Sequence, residues 1–209
     1  MIVVRIMYRV LAYLISTGLA LFTAPGVTED FDALVKRCEI CHGQGGNSGL
    51  PIFPSISGFS YEGFLYTMDE YRENRRIGNE FRRPDEPETV MLNIARQLSD
   101  AEVEALATYF SQRPYIPTRQ RFDPVLASRG AILHERHCEK CHLQNGTEPA
   151  DDAPILAGQW MPYLRMQFKN MLSGKRLVSR RMSNRLKKLS QEDIEALVNF
   201  YASVIKAGG

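Results

Sequence analysis

The chain has few of the residues that carry chemistry in most proteins. Its 209 residues include only four cysteines, four histidines and one tryptophan. No segment alternates apolar and polar residues as a β-strand does, and no glycine-rich phosphate loop follows a strand. With 44% hydrophobic and 24% charged residues, the composition excludes disordered and collagen-like proteins. The sequence is that of a globular protein whose chemistry rests on a small number of side chains.

Long apolar runs are also scarce, and the one that stands out is N-terminal. Arg5 and Arg9 precede an uncharged apolar run at 10–22, and small and turn-forming residues follow up to Gly26. This is the order of a secretory signal peptide. The run is short for a membrane-spanning helix, although an uncleaved anchor is the alternative. We predict a signal peptide at 1–26 and a periplasmic mature protein with no integral membrane span.

An excess of one charge sign is missing once the predicted signal peptide is removed. Residues 1–26 hold two arginines and no acids, so Lys+Arg falls from 26 to 24 and equals Asp+Glu at 24. Nucleic acid is therefore not an expected partner. Residues 27–120 hold 15 acids and 10 bases, whereas 121–209 hold 9 acids and 14 bases. The mature chain is predicted to be a charge dipole.

All four cysteines lie in two copies of one pentapeptide, CEICH at 38–42 and CEKCH at 138–142. Near the end of each half the offset of 100 becomes 91, so that 98–110 matches 189–201. Internal repetition on this scale predicts two tandem units of one fold. Other residues that match at the offset of 100 are Pro54 with Pro154, Gly58 with Gly158 and Arg76 with Arg176.

Helices and loops account for each half. Capping-box patterns at 99–102 and 190–193 each precede apolar residues at helical spacing. Three prolines between the halves predict a stiff, extended linker, and proline and charge at 78–88 predict a surface loop in the first half. The prediction is an all-α protein with a first domain at 27–112, a linker at 113–124 and a second domain at 125–209.

C-x-x-C-H is the attachment signature of c-type haem. Two thiols three positions apart can reach both vinyl groups of one porphyrin edge, and the adjacent histidine is then directed at the iron. A redox-active C-x-x-C pair and a zinc site are the alternatives, but neither requires a histidine after each pair. We predict two covalently bound haem c groups, attached through Cys38, Cys41, Cys138 and Cys141.

Two methionines occupy one position of the repeat and are candidates for the second axial ligand. Met91 lies seven residues before Leu98, and Met182 lies seven before Leu189. The alternative is core packing, the usual role of methionine at helical spacing. His/Met ligation leaves no open position, which favours electron transfer over peroxidase or oxygen chemistry. The predicted iron ligands are His42 with Met91 and His142 with Met182, and no catalytic residue is predicted.

Several other polar residues have expected roles near these sites. Arg76 and Arg176 are expected to pair with haem propionates. Pro51 is expected to place a carbonyl against His42, although its counterpart is Asp151. His134 and His137 are interpreted as half of a metal site, as a polar helix face or, for His137, as a propionate contact.

A cluster of basic residues surrounds Met182. It is expected either to be a solvated face or to ring the second haem and attract an acidic redox partner. Its members are Lys175, Arg176, Arg180, Arg181, Arg185, Lys187 and Lys188.

The repeated frame CxxCH…P…G…M…LS resembles the dihaem class I cytochromes c, including the freestanding c4 type. A closer resemblance, to the dihaem cytochrome subunit of flavocytochrome c sulfide dehydrogenase, is carried by segments 109–123, 134–142, 155–164 and 182–189. The loop at 78–88 is longer and more charged than is expected for that family.

That resemblance implies two tandem class I cytochrome c domains and the same haem-linked cysteines and axial ligands. It also implies a partner subunit, an FAD-containing flavoprotein that oxidises sulfide, with FAD on the partner only. Electrons would then pass to a soluble cytochrome or another acceptor. The alternatives are a freestanding c4-type carrier in a respiratory chain and a dihaem enzyme such as a peroxidase. Trp160 either contacts a partner or packs against haem or between the domains.

Overall fold

The structure, a computed structural model, describes residues 30–78, 90–150 and 153–205. The predicted signal peptide and, apart from Gly78, the predicted loop at 78–88 lie outside these residues. No helix in the described ranges is long and apolar enough to cross a membrane. The helices are α1 (Phe31–His42), α2 (Tyr61–Arg72), α3 (Met91–Gln97), α4 (Asp100–Ser111), α5 (Pro124–His137), α6 (Leu143–Gly146), α7 (Met161–Leu172), α8 (Arg180–Leu186) and α9 (Gln191–Ser203).

The two halves repeat one order of helices. The long helices α1, α2 and α4 correspond to α5, α7 and α9, and the short helix α3 corresponds to α8. Two isolated backbone bridges are the only extended pairing in the described residues. Both predicted capping boxes are confirmed, because Ser99 with Glu102 and Ser190 with Asp193 exchange side-chain and backbone hydrogen bonds at the starts of α4 and α9. The predicted all-α fold is confirmed.

Each half has its own apolar core. In the first, α2 packs against α3 and α4 around Phe64, Leu106 and Phe110, of which the last two are fully buried. In the second, α9 packs against α5 and α7. Gly130 lets α5 approach α9 closely, since a Cβ there would lie 2.1 Å from the carbonyl oxygen of Ala196. The repeated sequence therefore builds two cores of the same plan.

The segment between α4 and α5 is held against both halves. Asn47 Nδ2 donates to the carbonyl of Pro114, and the Tyr115 hydroxyl donates to the carbonyl of Ala157. The backbone N–H of Thr118 donates to the carbonyl of Gly158 at 2.8 Å. Gly158 has φ +72°, and a Cβ on it would lie 2.4 Å from Cβ of Pro117. The segment thus packs against both domains and lies between them.

The replacement Gly158→Ala is expected to lower the free energy of unfolding by more than the left-handed backbone alone explains. That conformation costs an L-residue roughly 1–2 kcal/mol, and the clash with Pro117 adds to it. The matched control is Gly174→Ala, because Gly174 has φ +78° with nothing within 4 Å of a Cβ. Urea unfolding measures both. Equal losses would contradict the role assigned to the contact with Pro117.

Candidate haem sites and the domain interface

The first C-x-x-C-H segment forms the last turn of α1. Cys38 and Cys41 are three positions apart in a helix and so lie on one face. His42 is only 6% exposed, and its Nδ1 lies 2.9 Å from the carbonyl oxygen of Pro54. Because a carbonyl can only accept, Nδ1 carries the proton and Nε2 keeps its lone pair for a metal. Burial lowers the pKa of His42, and the hydrogen bond to Pro54 opposes that shift.

The carbonyl that orients His42 therefore belongs to Pro54, and the expectation that Pro51 supplies it was wrong. The chain turns through Gln44–Gly46, and the backbone N–H groups of Ile56 and Ser57 both donate to the carbonyl of Gly46. This pairing brings residue 54, and not residue 51, to the ring. Pro54 has Pro154 as its counterpart, so the repeat keeps this residue in both halves.

The second C-x-x-C-H segment lies just beyond a helix. Helix α5 ends at His137 and Cys138 is its C-cap. The backbone N–H groups of Cys141 and His142 both donate to the carbonyl of Cys138, at 3.0 and 2.9 Å, so the segment is folded into tight turns. Neither pair of cysteines forms a disulfide.

Both candidate methionines lie in short helices just before the last helix of their half. Met91 is the first residue of α3, and Met182 is in the first turn of α8. Met91 and Cys38 pack against the first core, and Met182 and Cys138 pack against the second. Each half thus brings one motif cysteine and one matched methionine to the same apolar cluster.

Two arginines from matching repeat positions meet at the interface between the halves. Arg76 and Arg176 form an antiparallel backbone bridge, with Ile77 N–H donating to Lys175 and Leu177 N–H donating to Arg75. Arg76 Nη2 donates to the Tyr163 hydroxyl at 3.1 Å. Arg176 Nη1 donates to Oε1 of Gln167 at 3.1 Å. Arg76 Nη2 donates to the same Gln167 oxygen at 3.4 Å, so both guanidinium groups meet at one acceptor.

Positive charge exceeds negative charge in this cluster. Nη1 of Arg76 lies 3.5 Å from the carboxylate of buried Glu70, and no other ion pair of either arginine is seen in the described residues. Nε and Nη1 of Arg76 and Nε of Arg176 are buried without a hydrogen-bond acceptor there. Burial and then the charge of Arg76 lower the pKa of Arg176. Guanidinium N–H groups form strong hydrogen bonds with carboxylates. The buried, unsatisfied N–H groups of this cluster therefore fit a group that carries carboxylates, such as the propionates of haem.

Further hydrogen bonds join the halves. Gln159 donates to the carbonyl of Ser55 and accepts from its N–H, at 2.9 and 3.0 Å. Trp160 Nε1 donates to the carbonyl of Ser48 at 2.8 Å. Of the three interpretations of Trp160, the structure therefore supports packing between the domains.

The described residues give no support to a metal site at the two histidines before the second motif. No group of three or more His, Cys, Asp or Glu in the described residues could hold a metal ion. His134 is 1% exposed, so the polar-face interpretation was wrong for it. Its ring lies between Tyr201 and Glu139. The sequence does carry a signal for the contact of His134 with Tyr201 and Glu139. The repeat positions that hold apolar Leu34 and Phe110 in the first half hold His134 and Tyr201 in the second.

The basic cluster around α8 is largely a solvent-facing surface. Arg176 is its half-buried member and belongs to the interface described above. The exposed members are Lys175, Arg180, Arg181, Arg185, Lys187 and Lys188.

The chain is similar in sequence to known cytochromes and electron acceptors. Residues 125–200 match the family described as cytochrome c oxidase, cbb3-type, subunit III. Cytochrome c4 of Stutzerimonas stutzeri is 29% identical over 94% of this chain and 97% of its own length. The thiosulfate dehydrogenase electron acceptor of Thiomonas intermedia is 29% identical over 81% of this chain and 78% of its own.

The structure is also similar to that of a cytochrome c4. The crystal structure of reduced recombinant cytochrome c4 from Pseudomonas stutzeri superposes with a TM-score of 0.67 at 28% identity, covering 83% of this chain and 96% of that one. The chain with the duplicated motif and two helical units is thus similar over most of its length to cytochrome c4.

Proposed function

We propose that the protein is a periplasmic electron carrier with one covalently attached haem c in each domain. The observation that carries the proposal is the repeated C-x-x-C-H segment, with a buried His42 whose Nδ1 is committed to Pro54. A c-type haem supplies a one-electron couple when it is bound. Cys38 and Cys41 would attach the haem of the first domain, and Cys138 and Cys141 that of the second. His42 with Met91 and His142 with Met182 would bind the two irons.

The remaining residues act through position and charge. Arg76 and Arg176 hold positive charge at the interface, where their unsatisfied N–H groups would donate to the haem propionates. The backbone bridge between them and the bonds from Gln159 and Trp160 keep the domains in one relative position. A fixed separation lets electrons pass between two sites without domain motion. The exposed basic residues around α8 attract an acidic redox partner to the second domain.

A freestanding carrier is the form that the interface favours. Segments 109–123 and 155–164 carry much of the resemblance to the sulfide dehydrogenase subunit. Within them, Tyr115, Gln120, Gln159 and Trp160 all make contacts inside this chain. Those residues are accounted for by joining the two domains, so they do not require a partner subunit.

The second candidate is the cytochrome subunit of a sulfide-oxidising flavoprotein complex. It is favoured by the resemblance at 134–142, where His134 and Glu139 form a contact absent from the first half. The similarity to a thiosulfate dehydrogenase electron acceptor widens the class of electron donors to enzymes that oxidise sulfur compounds. FAD, where it takes part, would lie on the partner only.

Native purification from the exported fraction separates these functions. A freestanding carrier elutes without flavin absorption, and neither sulfide nor thiosulfate alone reduces it. A flavin that co-elutes and is bleached by sulfide as the haem bands become reduced would favour the second candidate. A protein with no haem bands at all would contradict both.

The replacement Arg76→Gln is expected to lower the reduction potential while two haems remain attached. Removing a buried positive charge stabilises the oxidised, more positive state, and an interaction of about 1 kcal/mol corresponds to ~40 mV for a one-electron couple. Arg75→Gln is the matched control, since Arg75 is more exposed and pairs with Glu73. Spectroelectrochemical titration measures both. A larger shift in the control would refute the role given to Arg76.

A further inference from the structure

The second domain contains a buried polar network that the proposed function does not use. His134 lies in the last turn of α5 and is 1% exposed. Its Nδ1 is 3.0 Å from the hydroxyl of Tyr201, and its Nε2 is 2.5 Å from Oε2 of Glu139. Tyr201 belongs to the apolar cluster against which Cys138 packs. The hydrogen-bonded groups therefore run from beside an attachment cysteine to a partly exposed carboxylate.

Glu139 also hydrogen-bonds the backbone just after the second C-x-x-C-H segment. Its carboxylate accepts from the N–H groups of Gln144 and Asn145, at 2.8 and 3.0 Å. Both residues are non-glycine residues in the left-handed region, with φ of 54° and 60°, a conformation that needs support from its surroundings. The first half has a simpler version, in which Glu39 accepts from the N–H of Gly45 at 2.7 Å.

The carboxylate of Glu139 accepts a hydrogen bond from His134. Burial acts to raise the pKa of Glu139, but the hydrogen bonds from His134 and from the two backbone N–H groups lower it overall. The carboxylate is therefore ionised at neutral pH. A carboxylate only accepts, so Nε2 of His134 is a donor in this contact.

Packing alone does not require the polar side chains. In the first half the matching positions hold Leu34 and Phe110, which are fully buried and apolar. Burying imidazole and phenol groups in their place costs free energy unless each group is hydrogen-bonded. The same fold thus works without the network, and its presence in one half indicates a role specific to the second site.

We propose that His134, held between Tyr201 and Glu139, is a positioning residue that sets the reduction potential of the second haem site; this rests on the proposed function. The pairing with Glu139 gives the direction. The N–H of His134 offsets the negative charge of Glu139 next to Cys138, and an unpaired carboxylate there would favour the oxidised state. The Tyr201 hydroxyl bonds the other ring nitrogen and holds the imidazole against Glu139. Loss of either contact lowers the potential of this site.

The test compares four variants of the full-length protein. His134→Leu installs the side chain of the first half, and His134→Gln keeps one donor for Glu139 and one acceptor for Tyr201. Tyr201→Phe removes only a hydroxyl. Phe200→Leu is the packing control, because the Phe200 ring lies 5.2 Å from that of His134 without a hydrogen bond. Intact mass counts the attached haems first, and spectroelectrochemistry then gives two midpoints for each protein.

The expected result is a shift of one midpoint. His134→Leu and Tyr201→Phe lower the same midpoint, with His134→Leu changing the redox equilibrium about tenfold, or ~59 mV for one electron. His134→Gln restores most of that shift, and Phe200→Leu moves neither midpoint. The shifted midpoint is assigned to the second site when it is also the one changed in Met182→His.

Other outcomes overturn the proposal. Equal shifts in His134→Gln and His134→Leu would make the side chain a packing element only. Unchanged midpoints in variants that carry two haems would refute the role directly. If His134→Leu does not fold, Tyr201→Phe, which keeps the ring, decides: an unchanged midpoint overturns the proposal. A wild-type protein without haem would instead refute the proposed function itself.

Discussion

Replacing Met182 with alanine is expected to let the reduced protein bind one carbon monoxide per chain. The side chain is assigned as the sixth ligand, so its loss opens a coordination position and lowers the reduction potential of that site, which His/Met ligation otherwise raises. Met91→Ala is expected to behave alike, the double variant to bind two, and the wild-type protein to bind none. Titration with carbon monoxide, followed by absorption spectroscopy, measures the stoichiometry.

Met68→Leu is the control for this prediction. Met68 is a buried core methionine of α2, and leucine has a similar volume, so the change is expected to cost less than about 1.5 kcal/mol and to open no ligand position. Binding by Met68→Leu, or the absence of binding by Met182→Ala, would show that the repeat position of the methionines reflects packing.

Replacing Cys138 and Cys141 together with serine is expected to halve the covalently attached haem. Each cysteine pair lies in its own half, and Cys38 and Cys138 each pack against the core of that half, so loss of one pair should leave the other attachment intact. The reciprocal variant, with Cys38 and Cys41 replaced, is the matched control and is expected to retain the second haem. Mass spectrometry under denaturing conditions counts what remains on each chain.

Two results for the cysteine variants would contradict this prediction. Two attached groups in either variant would mean that the replaced pair is not an attachment point. A zinc ion in place of haem would favour the metal-binding alternative for C-x-x-C.

Local sequence signals were enough for the helices and for the duplication. The capping boxes at Ser99 and Ser190 depend on contacts within one turn, so their residues are adjacent in sequence. The two C-x-x-C-H segments likewise carry their spacing in five residues. These features can be predicted because the interacting groups are neighbours along the chain.

The contacts of the site that sequence reasoning missed depend on how distant segments meet. Pro54 rather than Pro51 orients His42, because the backbone N–H groups of Ile56 and Ser57 bond the carbonyl of Gly46 and bring residue 54 to the ring. The positions of the prolines in the sequence do not reveal this pairing. His134 is buried because Tyr201, on another helix, reaches its ring. The pairing of Arg76 with Arg176 was visible as a repeat match, but their meeting across the interface is set by how the halves pack.

Each C-x-x-C-H segment is expected to hold one covalent haem. The decisive measurement is the intact mass of the exported protein, denatured and reduced. We expect a polypeptide heavier by two haem groups, whose alkaline pyridine spectrum is that of a c-type haem. A mass equal to that of the polypeptide alone, with thiols that become reactive on reduction, would show that the cysteines attach no haem and would favour redox-active cysteine pairs.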